Sequence, residues 1–297
     1  MKIAISGSTG FIGKQLSDYL LQSGNELIVI SRGDFAGGCN QLAKVINSAE
    51  VIINLAGSPV LQRWNKKNKQ LILSSRVDTT RLLVNAVQKN LPAHRPNVFI
   101  GASAIGIYEN SGTQNEFSIP LGTDFLAKVC KAWERETVAL KEIDLRLCTV
   151  RIGVVLGTTG GSLAKMLPIF KAGLGGRIGS GKQPFSFIHI TDFCRAIEHL
   201  IMHKSSAGTY NIVSPEATTN DQFTKALAAC LHRPAFFTVP EFALKLIYGE
   251  ASKMLTKGAF VKPARLLDEG FQFLFPDISS ALTNLTLKSD EYASRLS

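Results

Sequence analysis

The stretch Lys2-Ile3-Ala4-Ile5-Ser6-Gly7-Ser8-Thr9-Gly10-Phe11-Ile12-Gly13 decides how this chain folds. An apolar run, Ile3 to Ile5, stops at Gly7. Gly10 and Gly13 follow, and helical apolar spacing begins at once with Phe11, Ile12, Leu16, Tyr19 and Leu20. Gly7 permits a tight turn out of the strand. Gly10 lacks the Cβ that would keep a pyrophosphate off the backbone, and Gly13 lets the helix pack close to the strand. The N-terminus of that helix offers free N–H groups and a positive dipole end to phosphates. Glycines alone fit an ordinary turn. A strand before and a helix after make Gly7, Ser8, Thr9, Gly10, Phe11, Ile12 and Gly13 a dinucleotide cradle, spaced GxxGxxG.

The 297 residues suffice for a large α/β unit with a smaller one beside it, and 45% hydrophobic with 19% charged residues is a globular composition. The net charge of +10 admits a nucleic acid, an anionic membrane or a phosphorylated ligand as partner. Its densest run, Arg63-Trp64-Asn65-Lys66-Lys67-Asn68-Lys69, reads as a solvated helix start, which argues against nucleic acid. Cys39, Cys130, Cys148, Cys194 and Cys230 are odd in number and irregular in spacing, as expected of reduced thiols in a cytoplasmic protein. No basic-then-apolar leader precedes the first strand, and no apolar run reaches the roughly 18 residues of a membrane span.

Glu26–Ile30 reads as the second strand and closes on Ser31-Arg32. In a dinucleotide fold the end of this strand meets the adenosine ribose. An acid there binds the 2′-hydroxyl of NAD, whereas an arginine suits the 2′-phosphate of NADP. Arg32 therefore points to NADP(H), with Ser31 adding a hydroxyl; a plain surface arginine is the alternative. Gly33-Asp34-Phe35 follows at once, leaving little room for a helix before residues 40–49, which read as helical. This side of the sheet is expected to be abbreviated. Val51–Leu55 is a buried strand ending in Leu55-Ala56-Gly57, small enough for a cofactor to cross. A long helix is expected over Lys66–Lys89, and Asn97–Gly101 is the next strand, ending in Ala102-Ser103-Ala104. Asp124 opens a helix running to Lys141, and Cys148–Leu156 reads as one further strand. Such alternation predicts a Rossmann-like, doubly wound parallel α/β sheet.

From Gly157 on, glycine-rich loops flank a short helix, Ser162–Lys171. Phe187–Ile190 reads as a return to the sheet before a helix over Ala196–Met202. A strand at Tyr210–Val213 and helices at Asn220–Leu231, Glu241–Leu246 and Pro263–Glu269 complete the reading. The dinucleotide domain is placed at 1–156 and 184–205. A smaller α+β, substrate-side domain is placed at 157–183 and 206–297.

Several stretches resemble the extended short-chain dehydrogenases/reductases. They are the Gly7–Gly13 loop, Asn54-Leu55-Ala56-Gly57 and Ser103 in Gly101-Ala102-Ser103-Ala104. Ser75-Arg76, Thr79-Thr80-Arg81, Trp133-Glu134, Arg151–Leu156, Gly179-Ser180-Gly181, Ile188-His189-Ile190 and His232-Arg233-Pro234 are similar to an atypical, epimerase-like subgroup of them. The resemblance spans nearly the whole chain. It implies NADP(H) binding, a small C-terminal domain of uncharacterised role, and homodimers through the two long helices as a possible assembly. The wider superfamily works with a Tyr-x-x-x-Lys pair, in which the lysine lowers the tyrosine pKa. Setting Trp133-Glu134 against that helix puts Leu126 at the tyrosine position and Cys130 at the lysine position. Phe185 likewise stands where sugar-nucleotide enzymes carry a phosphate-gripping arginine.

Ser103 and Tyr108 remain as candidate catalytic residues: a strand-end hydroxyl for a substrate carbonyl, and the nearest phenol to replace the missing acid. The alternatives are a small strand-end residue for Ser103 and, as the more usual reading, a packing residue with a satisfied hydroxyl for Tyr108. His189 reads as a buried, hydrogen-bonded histidine, Asp192 as a helix cap and Arg151 as a partner for some acid. Glu241–Lys257 reads as lining the substrate crevice rather than a membrane surface, and no metal-ligand spacing is evident. The sequence thus points to an NADP(H)-binding oxidoreductase or epimerase-like enzyme of a small-molecule substrate. A catalytically silent NADP(H)-binding sensor is the alternative.

Overall fold

The apolar run that opens the chain is β1 (Lys2–Ser6), followed by α1 (Phe11–Gln22) and β2 (Glu26–Ile30). The computed structural model describes residues 1–294. Next come α2 (Arg32–Ala36), α3 (Gly38–Val45), β3 (Val51–Asn54), α4 (Lys66–Lys89) and β4 (Val98–Ala104). The short β5 (Thr113–Gln114) precedes α5 (Phe125–Glu136), β6 (Arg146–Ile152) and β7 (Val154–Leu156). Then follow α6 (Gly161–Lys171), β8 (Gly176–Ile178), β9 (Phe187–His189), α7 (Ile190–Met202), β10 (Gly208–Ile212) and α8 (Asn220–Cys230). The remainder is β11 (Phe237–Val239), α9 (Glu241–Tyr248), α10 (Lys253–Thr256), β12 (Phe260–Val261), α11 (Ala264–Asp268) and α12 (Ile278–Ser294).

Six strands form one parallel sheet in the order β10-β6-β4-β3-β1-β2. Helices cover both faces, so the inner strands are apolar without alternation; all four residues of β3 are buried. Leu16, Leu20, Phe193, Ile197 and Leu282 pack in one core, and Leu42, Ile46, Leu83, Val87 and Phe99 in another. Register aligns Ser6 with Asn54 and Ser103 with Arg151, which brings the polar strand ends to one carboxyl edge. A chain of hydrogen bonds fixes that edge. The Ser6 hydroxyl donates to Asn54 Oδ1 (2.6 Å), Asn54 Nδ2 to Thr80 Oγ1 (2.8 Å) and Trp133 Nε1 to the same Thr80 oxygen (2.9 Å). Every link is buried, so each donor satisfied here avoids a desolvation loss of about 1–3 kcal/mol.

Five expectations are corrected. The span between β2 and β3 holds two helices. Ser31 accepts from the Asp34 backbone while the Asp34 carboxylate accepts from Ser31, a capping box that starts α2 at Arg32. The sheet is nonetheless abbreviated as expected, because β2 is its edge. Cys148–Leu156 is two strands: the chain breaks at Gly153, where a Cβ would stand 2.7 Å from Val213 and 2.9 Å from the Ser186 carbonyl. Beyond that break β7 pairs with β9, so Phe187–His189 does not return to the main sheet. In its place β10 pairs with β6, and the boundary drawn at 206 places a sheet strand in the smaller unit. Asp192 does not cap its helix; His189 does, its Nδ1 accepting from Thr191 N. The fully buried Asp192 carboxylate instead accepts from Leu274 N and Phe275 N and pairs with Arg195 at 3.0 Å.

Two more carboxylates bind the C-terminal segment. Half-buried Glu116, its pKa raised by desolvation, accepts from the backbone of Asn211, Ala264 and Arg265. Glu269 accepts from the hydroxyls of Ser206 and Tyr210, both at 2.6 Å. Burial opposes the charge of Glu269, but the Ser206, Tyr210 and His199 hydrogen bonds outweigh it and hold the carboxyl below its ordinary value of 4.5. A carboxyl depressed on folding stabilises the fold above its unfolded pKa and loses that contribution as pH falls through the folded one. Glu269→Gln is therefore expected to cost about 1–3 kcal/mol near neutral pH. In urea unfolding the gap to wild type should narrow below about pH 4; a gap unchanged in acid would contradict this assignment.

Candidate functional site

A cavity of about 630 Å³ runs along the carboxyl edge of the sheet, from Gly7, Gly10, Phe11, Ile12 and Gly13, past Leu55, Ser103 and Tyr108, to Met254–Ala259. The three glycines of the first loop differ in what surrounds them. Gly7 has φ of +74°, and its Cβ would stand 2.8 Å from the Leu55 carbonyl. A Cβ on Gly13 would stand 2.1 Å from the Gly7 carbonyl. Both positions are thus dictated by the chain itself. Gly10 is not: its Cβ would meet only the Gly7 carbonyl, at 3.4 Å, an ordinary contact. The bare side of Gly10 opens on the cavity, at the N-terminus of α1, where a bound phosphate gains most. Phe11 closes the cradle. Cβ atoms on Gly157, Gly160 and Gly161 would meet its ring at 2.6, 2.7 and 3.0 Å, so the loop before α6 is part of this wall, which the sequence reading missed.

Ser8, Thr9, Ala56 and Gly57 flank the cradle without lining the cavity. Ala56 N donates to the Ser6 hydroxyl (3.3 Å). Ser31 and Arg32 lie exposed just beyond β2. The Ser31 hydroxyl is engaged by Asp34 at 2.6 Å, and Arg32 makes no ion pair among the described residues.

Ser103 and Tyr108 both line the cavity, and both are 2% exposed. The Ser103 hydroxyl donates to Glu134 Oε1 (2.6 Å). Arg151 grips the same carboxylate with Nε (2.9 Å) and Nη2 (3.0 Å), and its Nη1 donates to the Tyr108 hydroxyl (2.9 Å). Tyr108 donates in turn to Asn211 Oδ1 (2.8 Å). Burial raises the Tyr108 pKa against the lowering effect of Arg151. Burial disfavours the Arg151 charge too, but Glu134 reverses the balance and raises its pKa. The acid expected opposite Arg151 is thus Glu134, a residue the sequence offered only as part of a family stretch.

Leu126 and Cys130 line the cavity beside Ser103. Burial, with Glu134 adding to it, pushes the Cys130 thiol up to about 12, so it holds its proton and carries no charge. His189 is buried and stacks against Phe275 at 3.9 Å, a packing and capping residue. Of the Glu241–Lys257 stretch, Met254, Leu255 and Lys257 line the cavity. On α9, by contrast, Phe242, Leu246 and Ile247 are exposed. The fold also brings together three groups that the sequence reading did not connect. His199, His203 and Glu269 bring ligand atoms within 4.8 Å of one another. The i, i+4 spacing of the two histidines was the available signal.

The sheet, glycine cradle and covered cleft define a Rossmann-like, dinucleotide-binding class of protein. Residues 3–213 match the NAD dependent epimerase/dehydratase family, and residues 239–285 match a C-terminal domain of unknown function, DUF1731. The chain belongs to the NAD dependent epimerase/dehydratase family. It is 36% identical to the mouse epimerase family protein SDR39U1, over 96% of this chain and 99% of the mouse protein. It is 34% identical to the Bacillus subtilis epimerase family protein YfhF, over 96% of this chain and 98% of that one. A crystal structure of human SDR39U1 (isoform 2) with NADPH superposes with a TM-score of 0.89 at 33% identity, covering 96% of this chain and 99% of the human one.

Replacing Glu134 with glutamine removes the counter-charge of a buried guanidinium. Glu134→Gln is expected to cost about 3–5 kcal/mol in urea unfolding; a loss under about 1 kcal/mol, the level of an exposed pair, would refute the structural role given to it.

Proposed function

We propose that this chain is an NADP(H)-dependent oxidoreductase or epimerase-like enzyme of a small-molecule substrate, working without the Tyr-x-x-x-Lys pair. The observation that carries the reading is Gly10, whose bare side no protein atom requires and which opens on the cavity. The residues fit the dinucleotide. The Gly7–Gly13 backbone at the start of α1 would hold the pyrophosphate, Leu55–Gly57 would border the ribose, and Ser31 and Arg32 would meet the 2′-phosphate. When bound, the nicotinamide supplies reversible hydride exchange with carbon. The chain's own share is to orient and to exclude water. Ser103, held by Glu134, fixes one side of the cleft, and Leu126 and Cys130 make its wall apolar. In this reading the five free cysteines suit a reducing cytoplasm, nucleic acid is no partner, and any homodimer forms through α4 and α5.

One observation favours the second reading, a silent NADP(H)-binding sensor. The hydroxyls of Ser103 and Tyr108 already donate within the protein, so neither has a proton free to give. A panel of carbonyl compounds followed by NADPH absorbance separates the two. Oxidation of NADPH with any of them supports the enzyme; tight NADPH binding without turnover supports the sensor. Arg32→Asp is expected to weaken NADPH about 10- to 100-fold, the worth of a charge-assisted contact, and to spare NADH. Equal losses for both cofactors would overturn the assignment of Arg32.

A further inference from the structure

Two histidines and a carboxylate meet at the amino edge of the sheet, away from the glycine cradle. His199 lies in the last turn of α7 and His203 directly after that helix, one turn on, so their rings stack with centroids 5.1 Å apart. Glu269 directly follows α11, and its Oε2 stands 3.3 Å from His199 Nε2 and 3.4 Å from His203 Nδ1. Met1, Gly24 and Asn25, at the amino ends of β1 and β2, line a cavity of about 660 Å³ together with His199 and Gly270. Solvent therefore reaches the cluster on one side, while the dinucleotide cleft runs along the opposite, carboxyl edge.

The distances discriminate between two accounts of these three residues. As N–H donors to one carboxylate oxygen, both histidines are too far away: such bonds run about 2.7–3.2 Å, and less when an ion takes part. Zinc holds imidazole nitrogen and carboxylate oxygen at about 2.0–2.1 Å, and tetrahedral geometry then sets its ligand atoms about 3.3–3.4 Å apart. Both N···O separations match that edge. The third edge, between the histidines, is within 4.8 Å, and His203, the more exposed of the two, can close it by turning its ring.

The donor set and its support fit as well. The Tyr210 hydroxyl donates to Glu269 Oε1 and the Ser206 hydroxyl to Oε2, both at 2.6 Å. Outer hydrogen bonds of this kind orient a metal-binding carboxylate. The His-x-x-x-His spacing is one that zinc sites use, and imidazole nitrogen selects zinc, copper or nickel over magnesium and calcium. Among the described residues no cysteine belongs to the cluster.

We propose that His199, His203 and Glu269 bind a divalent transition metal, zinc by its geometry, with water from the adjoining cavity in the fourth position. The ion ties the end of α7 to the segment after α11 and so holds the C-terminal part of the chain on the sheet. Its role is stabilising, because a site that exists only in the folded chain adds its binding free energy to folding. The inference does not rest on the NADP(H) reading.

The test uses the full chain, stripped of metal with EDTA. It is titrated with zinc chloride against a chromophoric chelator, and with cobalt chloride by visible absorption. One zinc ion per chain is expected, without competition from magnesium or calcium. Cobalt should show the d–d bands of a tetrahedral nitrogen–oxygen site and no thiolate charge-transfer band. Zinc should raise the melting temperature of wild type. His203→Ala and His199→Ala should each lose about tenfold or more in zinc affinity, and the rise in melting temperature with it. Cys39→Ser/Cys230→Ser, which removes the two half-buried thiols, should bind zinc as wild type does. Melting of each variant without metal checks that it folds. Absence of zinc binding in wild type would overturn the proposal, as would a loss below tenfold in His203→Ala or loss of binding in the cysteine double variant. Should a histidine variant fail to fold, the cobalt spectrum of wild type still decides: tetrahedral bands without thiolate character support the site, and a thiolate band overturns it.

Discussion

The contact on which the structure depends is backbone against backbone, the α-carbon of Gly13 on the carbonyl of Gly7. Any side chain at 13 would stand 2.1 Å from that oxygen. Because α1 can lie this close, its N-terminus reaches the carboxyl edge of β1, and the residues of its first turn line the cavity. The neighbouring elements then fix the edge. Ser6, Asn54, Thr80 and Trp133 tie β1 to β3, α4 and α5 through buried hydrogen bonds. Buried polar groups bonded in this way resist rearrangement, because each broken link strands a donor or acceptor. The rigid edge of the cleft follows from one close approach and one satisfied polar chain.

A second constraint decides what the cleft can do. Glu134 and Arg151 form a bidentate ion pair with little exposure, and Ser103 and Tyr108 are its dependants. Such a pair adds little net stability over a well-packed apolar core, yet it is costly to break. Its effect is to set direction: the two hydroxyls nearest the expected chemistry point into the protein. The pKa of Tyr108 moves up, which suits a group holding its proton.

The sheet was legible because its signals are local. Strand runs, the helix over Lys66–Lys89 and the Asp124 cap are each written in consecutive residues. The capping box at Ser31–Asp34 was also local, but the nearby glycine hid it. The strand break at Gly153 was not local, because it depends on Val213 and Ser186 arriving from elsewhere. The site divides the same way. The glycine loop could be read from spacing. The partners of Ser103 and Arg151 could not, since Glu134 lies 31 and 17 residues from them. Asp192 was misread for this reason too: its partners, Leu274 and Phe275, are 82 and 83 residues away.

The packing around Cys130 bears on which side chain that position can carry. By resemblance, Cys130 stands where the lysine would. Cys130 and Arg76 are close enough to influence one another electrostatically, both being desolvated on the cavity wall. A lysine at 130 would set an ammonium near a guanidinium that makes no ion pair among the described residues. The nearest acid, Glu134, is already spent on Arg151. Like charges in a low-dielectric site disfavour each other's ionised forms, so the two cations would compete rather than add. A neutral thiol at 130 removes that conflict and leaves Arg76 as the cation beside the cradle. The neutral thiol of Cys130 and the guanidinium of Arg76 on α4, against Trp133, are thus compatible neighbours on one wall.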